Sequence, residues 1–134
     1  MRSYIAIPVM LLVTIVSSLP ASAADDWSFI AGKYALDPAD CKLVGSGAPF
    51  SKELVDGLSQ EVLTKEGVTS PREVHCKFRS SAKTESGWTV QADCEELGEA
   101  APYELAVSTS PDGSVSILNE DVWGPEPQKF MPCK

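Results

Sequence analysis

The chain has 134 residues, with 11 Lys plus Arg against 19 Asp plus Glu, one His, four Cys and a formal net charge of −8. That length allows one small domain, and the acidity argues against a nucleic-acid partner. A hydrophobic fraction of 43% is too high for a disordered chain, so a packed core is expected.

Met1 and Arg2 give a positive start, residues 4–16 are nearly unbroken apolar sequence, and Pro20-Ala21-Ser22-Ala23 supplies the small residues of a cleavage site. Residues 1–23 therefore read as a secretory signal peptide, whose apolar run falls short of the roughly 20 residues that cross about 30 Å of hydrocarbon. The residue directly after the cleavage site is Ala24 and not Cys, so no lipid anchor is indicated, and no later apolar run is long enough to span a membrane. The expectation is a single β-rich domain over 24–134, periplasmic or secreted and free of the membrane once the leader is gone. Cleavage removes Arg2 and no acid, which leaves 10 basic against 19 acidic residues, a charge of −9.

In the mature chain, Gly32-Lys33-Tyr34-Ala35-Leu36 reads as a first strand over 32–36, followed by a turn at Asp37-Pro38 and then Cys41. Residues 50–68 fit two patterns. Ser51 is a good cap for a short helix near 51–63 with Leu54, Val55, Leu58 and Val62 on one face. Asp56-Gly57 is equally good turn chemistry for a hairpin between 52–55 and 58–64. The β-rich surroundings favour the hairpin.

Between Ser70 and Gly98 the pattern is sharp. Val74, Cys76 and Phe78 alternate with His75, Lys77 and Arg79, and beyond Lys83-Thr84-Glu85-Ser86-Gly87 the even set resumes with Trp88, Val90, Ala92 and Cys94. Period two on both sides of a polar connection predicts an antiparallel hairpin with one buried face. Centring its loop on Glu85 sets Cys76 opposite Cys94, Phe78 opposite Ala92 and Ala82 opposite Trp88. The other face then pairs Lys77 with Asp93 and His75 with Glu95, so one register satisfies both the sulfurs and the charges. A Cys76–Cys94 disulfide follows, and Cys41–Cys133 by elimination. An exported domain with an even number of Cys and no C-x-x-C or His/Cys spacing supports bridges over a zinc or redox site.

A second hairpin runs through Tyr103, Leu105 and Val107, turns at Ser110-Pro111-Asp112-Gly113 and continues with Val115 and Ile117 on the same odd-numbered face. Trp123-Gly124-Pro125-Glu126-Pro127 puts a large aromatic in a stiff loop, and Trp123 is either the lid of one core end or a contact for a partner. Residues 128–133 read as a last edge strand, where Pro132 is best tolerated. These elements together predict a mostly β domain, a small antiparallel barrel or sandwich stapled by two disulfides.

Three likenesses sit beside this. Phe29-Ile30-Ala31-Gly32-Lys33-Tyr34 resembles the opening Gly-x-aromatic element of lipocalin-type barrels, which implies a chain crossing the barrel base before strand one. Gly32-Lys33-Tyr34-Ala35-Leu36 with Cys41-Lys42-Leu43 is similar to the start of the small periplasmic metalloprotease inhibitors, themselves compact eight-stranded barrels. In that family the early Cys pairs with one in the middle of the chain, which would contradict a Cys41–Cys133 bridge. The leader, the Trp…Gly-x-Tyr…Cys block, two central Cys and a final Cys together resemble a group of small proteobacterial periplasmic disulfide proteins, a likeness that names no activity.

Catalytic chemistry finds little footing. His75 is the only imidazole, and the hairpin register sets it on the solvated face beside Glu95. The bridges consume every thiolate. Glu95, Glu96, Glu99 and Glu104 form the densest acidic stretch, but adjacent strand residues point to opposite faces, so Glu95 and Glu96 do not converge on one bond. Asp25, Asp26, Asp37 and Asp40 match no calcium loop, and no Gly-rich phosphate cradle appears. No catalytic site, metal or other cofactor is implied. The expected function is a non-catalytic exported protein-binding module. The alternatives are a small β-barrel inhibitor of a secreted or periplasmic hydrolase, or a lipocalin-like carrier of a small apolar ligand.

Overall fold

A computed structural model describes residues 25–45, 48–72 and 74–134; the expected leader over 1–23 lies outside them. The elements are β1 (Tyr34–Ala35), a 3-10 helix (Pro38–Lys42), α1 (Lys52–Gly57), β2 (Val62–Thr64), β3 (Gly67–Thr69), β4 (Val74–Lys83), β5 (Trp88–Glu96), β6 (Glu99–Thr109), β7 (Val115–Leu118), α2 (Glu120–Trp123) and β8 (Gln128–Pro132). Each strand pairs antiparallel with the next and β8 pairs with β1, closing an eight-stranded up-and-down barrel. Among the described residues no helix is long and apolar enough to cross a membrane.

Strand alternation splits the apolar residues between two cores. Tyr34, Leu63, Val68, Cys76, Val90, Ala92, Cys94, Leu105, Val107, Val115, Ile117 and Phe130 point inward and are buried. Ala35 and Val62, next to Tyr34 and Leu63 and therefore facing out, join Val44, Leu54 and Leu58 in a second cluster on the barrel wall. The 3-10 helix and α1 cover that outer face. Cys41–Cys133 ties this layer to the end of β8, while Cys76–Cys94 crosses β4 and β5 inside the barrel. Both bridges have the predicted connectivity, and the one implied by the likeness to the metalloprotease inhibitors is not formed.

The predicted β4–β5 register holds for His75↔Glu95, Cys76↔Cys94, Lys77↔Asp93 and Phe78↔Ala92, then slips at a β-bulge on Arg79. Beyond it Trp88 faces Lys83 rather than Ala82, and Ser81 takes the buried position that simple alternation gives to Ala82. The extra residue flips the inward set from even to odd, as a bulge must. The second hairpin pairs Val107↔Ile117 and Thr109↔Val115, which keeps the odd face inward. Its turn is locked by Asp112, which accepts from the Ser114 N–H and hydroxyl at 2.9 and 2.6 Å.

Two expectations change, and the choice left open over 50–68 falls to the Ser51-capped helix. Residues 52–57 are helical and not one arm of a hairpin: Ser51 Oγ accepts from Leu54 N–H, Lys52 pairs with Asp56 one turn on, and Leu54 and Leu58 fill the outer cluster. The hairpin in this region lies later, between β2 and β3. The first strand is only two residues long. Residues 128–132 form no edge, because they pair on both sides, and Pro132 is accommodated by ending the strand.

Candidate functional site

Successive turns of an up-and-down barrel alternate between its two ends. At the β4–β5 turn end, residues 25–30 lie against the strands. Asp26 N–H donates to Ser81 O, Trp88 Nε1–H donates to Asp26 Oδ1 at 3.1 Å, and Phe29 and Trp27 pack on Trp88 and Phe78 with ring centroids 5.3 and 5.9 Å apart. The Ser28 hydroxyl and N–H bond the Asp26 carboxylate and, with Trp88, hold its pKa below the ordinary carboxylate value. Asp25 Oδ1 accepts from Ser81 N–H. Asp25 and Asp26 are therefore fasteners of the N-terminal segment.

Asp37 and Asp40 organise the outer layer. Asp37 caps the 3-10 helix through Ala39 N–H. Asp40, 3% exposed, accepts from Ser59 N–H at 3.0 Å, Ser59 Oγ at 2.9 Å and Gln60 N–H at 2.9 Å, which fixes the exit from α1. Replacing Asp40 by Ala leaves these donors without their acceptor and is expected to cost about 3 kcal/mol in urea unfolding, with Asn recovering part of it. A loss below about 1 kcal/mol would show that the cradle is not formed in solution. No cluster of three or more His, Cys, Asp or Glu side chains able to hold a metal occurs among the described residues.

The opposite end brings together the β3–β4 corner, the β5–β6 turn and the β7–β8 link, and with them most residues singled out for chemistry. Trp123, the last residue of α2, is partly buried against the main core, with its indole N–H buried and unpartnered. Asn119 caps α2 through Asp121 and Val122 N–H and anchors it by donating to Glu104 O at 2.9 Å. The indole thus packs against the core while part of it stays exposed, an arrangement open to either reading of Trp123. His75 lies opposite Glu95 as expected, but it is half-buried, and its Nδ1 accepts from Ser70 N–H at 3.1 Å. Ser70 is 2% exposed, and its hydroxyl is directed to Glu61 rather than to the imidazole.

The feature that sequence reading passed over is Leu97. It is 72% exposed, the one exposed large hydrophobic side chain among the described residues. Leu97 (φ 53°) and Gly98 (φ 83°) form the two-residue turn joining β5 to β6. Positive φ at both positions suits the right-handed twist of a hairpin, yet it favours Asn or Gly over a bulky residue. On the strands just below, Glu96 and Glu99 face each other, a like-charge cross-strand pair that destabilises the tip. Glu95 is exposed beside them, and Glu120, Asp121 and Glu126 are exposed in the β7–β8 link. Neither 95–100 nor 119–127 contains a Lys or Arg, and none of these six carboxylates makes an ion pair among the described residues. The signal for Leu97 was present: alternation stops at Glu96 and restarts at Glu99, which leaves room only for a tight turn.

Clefts open at several places on the barrel. One of about 390 Å³ lies between α1 and the β2–β3 turn, lined by Lys33, Val44, Leu54 and Thr64. One of about 570 Å³ is lined by Trp88, Ala106, Ser108 and Leu118. A third, about 270 Å³, sits under the β5–β6 tip against Ala101 and Tyr103. The three aromatic residues that a carrier would need around one cavity all pack against the main core but line no common cleft, with Trp88 on one, Tyr103 on another and Phe78 stacked on Trp27. Compared with protein-family models, curated proteins and solved structures, the chain finds no match.

Proposed function

We propose that this protein is a non-catalytic exported module that binds another protein, and that it does so with the barrel end bearing the β5–β6 tip. The carrying observation is the tip itself. An exposed Leu held at positive φ above a Glu96/Glu99 pair is locally unfavourable in the free barrel. Unfavourable local structure of this kind persists where a site has a use for it. A partner with an apolar socket and a basic rim would bury Leu97 and neutralise the glutamates, and the −9 charge of the expected mature chain would speed the encounter. Such a narrow, acidic projection also suits the cleft of a basic secreted hydrolase, so inhibition is the form of binding this geometry favours. The carrier alternative has less support, because Phe130, Leu105, Ile117 and their neighbours fill the interior. Export is supported by the expected leader and by the two disulfides.

Leu97→Asn separates folding from binding. Asn tolerates positive φ, so the variant is expected to be more stable than the parent by about 1 kcal/mol in thermal unfolding. It should nevertheless retain at least about tenfold less partner on an affinity column loaded with periplasmic extract of the exporting cell. Retention by the parent should also fall when salt is raised from about 50 mM to about 500 mM. Retention that ignores both the substitution and the salt would overturn the assignment of the tip, and an empty column for the parent would overturn protein binding altogether.

A further inference from the structure

The β3–β4 corner holds a second device, independent of any partner. The Ser70 N–H is buried with its residue, and its acceptor is the Nδ1 lone pair of His75 on β4. The Ser70 hydroxyl, in turn, accepts from Arg72 N–H at 3.1 Å and faces Glu61 Oε1 at 3.4 Å, so the corner is organised around one residue whose amide the imidazole holds. Phe50, itself at positive φ, meets the imidazole edge-on with ring centroids 6.1 Å apart, and the Lys77 ammonium lies 5.4 Å from the Phe50 ring centre.

We propose that His75 is a pH-operated latch: the neutral ring fastens the corner at Ser70, and protonation releases it. The chemistry is that of imidazole. Neutral, it has one N–H and one lone pair, and here the lone pair is at Nδ1; the imidazolium has two N–H groups and no acceptor. A proton on Nδ1 therefore turns the Ser70 contact into donor against donor, and a buried N–H left without a partner is costly. The corner must open, or the ring must swing away from Phe50.

The charged groups around the ring pull in both directions. Glu95 on β5, directly opposite, favours the imidazolium, while Lys77 on the same strand opposes it. Desolvation of the half-buried ring is the largest influence and holds its pKa below the ordinary 6.5. The sign follows from linkage. With the closed-state pKa depressed, the closed corner has its full stability above about pH 6.5 and loses it as pH falls below that value and through the closed-state pKa. No other side chain of the chain changes charge near neutrality at its ordinary pKa, so the transition belongs to one residue.

Amide hydrogen exchange of the oxidised mature chain, read by NMR and corrected for intrinsic rates, tests this. From about pH 7.5 to about pH 5, protection at Ser70 is expected to fall at least about tenfold while protection at Val90 in β5 is unchanged. In His75→Asn the side-chain carbonyl accepts without titrating, and Ser70 protection should become independent of pH. Two results on the parent protein alone would overturn the latch: ring ¹⁵N shifts placing the neutral-state proton on Nδ1, or constant Ser70 protection while those shifts report His75 titrating. An equal loss of protection in His75→Asn would overturn it as well.

Discussion

Removing Cys41 and Cys133 together, as alanines, is expected to cost about 4–5 kcal/mol, and removing Cys76 and Cys94 about 3 kcal/mol, on the loop-entropy account of cross-links. The difference comes from the chain each bridge closes, with sequence separations of 92 and 18. A domain of this size has about 5–15 kcal/mol in hand, so loss of both bridges should leave it unfolded or nearly so. Exposure gives the order of loss under reduction. Cys76 and Cys94 are 0% and 3% exposed inside the barrel, whereas Cys41 and Cys133 are partly exposed in the outer layer. Mild reductant under native conditions should therefore open Cys41–Cys133 first and give an intermediate with only Cys76–Cys94 intact. Alkylation and peptide mapping would identify it. Guanidinium unfolding of each double variant would give the two free energies, and a Cys41/Cys133 variant as stable as the parent would show that the bridge only decorates a barrel already closed by its strands.

Why the inner bridge was legible and other features were not is a matter of the range over which each signal acts. Cys76 and Cys94 lie on strands whose period-two pattern is local and strong, and the side-chain charges at His75/Glu95 and Lys77/Asp93 confirm the same register. Bulges carry no such signature. Arg79 fits the alternation as a polar residue, and only the buried Ser81 and exposed Ala82 reveal that the strand has taken an extra residue. Residues 52–57 stay open between helix and hairpin in the sequence because Asp56-Gly57 is good turn chemistry in isolation, and what decides for the Ser51-capped helix is the outer cluster with Val44, Ala35 and Val62, contacts distant in sequence. Barrel closure was equally out of reach: the strand that seals it against β8 is two residues long, and β3 begins at Gly67 with φ +143°, where any Cβ would sit 1.8 Å from the Cys76 carbonyl oxygen, so that only glycine lets the two strands approach. At the candidate site, His75 was placed correctly opposite Glu95, but its bond to Ser70 depends on how the β3–β4 corner folds back. Leu97 was hidden because an apolar residue next to a strand reads as core until the two-residue turn is counted.

Phe130→Ala is expected to lower stability by about 4 kcal/mol, near the upper part of the range for truncating a large buried side chain. Phe130 is 0% exposed in β8, opposite Val115, in a core shared with Tyr34, Leu105 and Ile117. A closed barrel has no free edge along which its wall can shift inward, since β8 is hydrogen-bonded to β7 on one side and β1 on the other. The space left by the ring should therefore persist as an apolar cavity rather than collapse, and cavities of that kind stay dry and take up small apolar molecules. Benzene is the appropriate probe. Saturating benzene is expected to raise the midpoint of urea unfolding for Phe130→Ala and to leave the parent unchanged, since a ligand that binds only the folded state stabilises it by RT ln(1 + [L]/Kd). The contrast bears directly on function. An apolar interior that admits benzene only after Phe130 is removed has its volume committed to side chains, which would count against the carrier reading. A parent protein stabilised by benzene to the same degree would instead restore the carrier reading, and a loss below about 1 kcal/mol would mean that β8 does not seal the barrel as described.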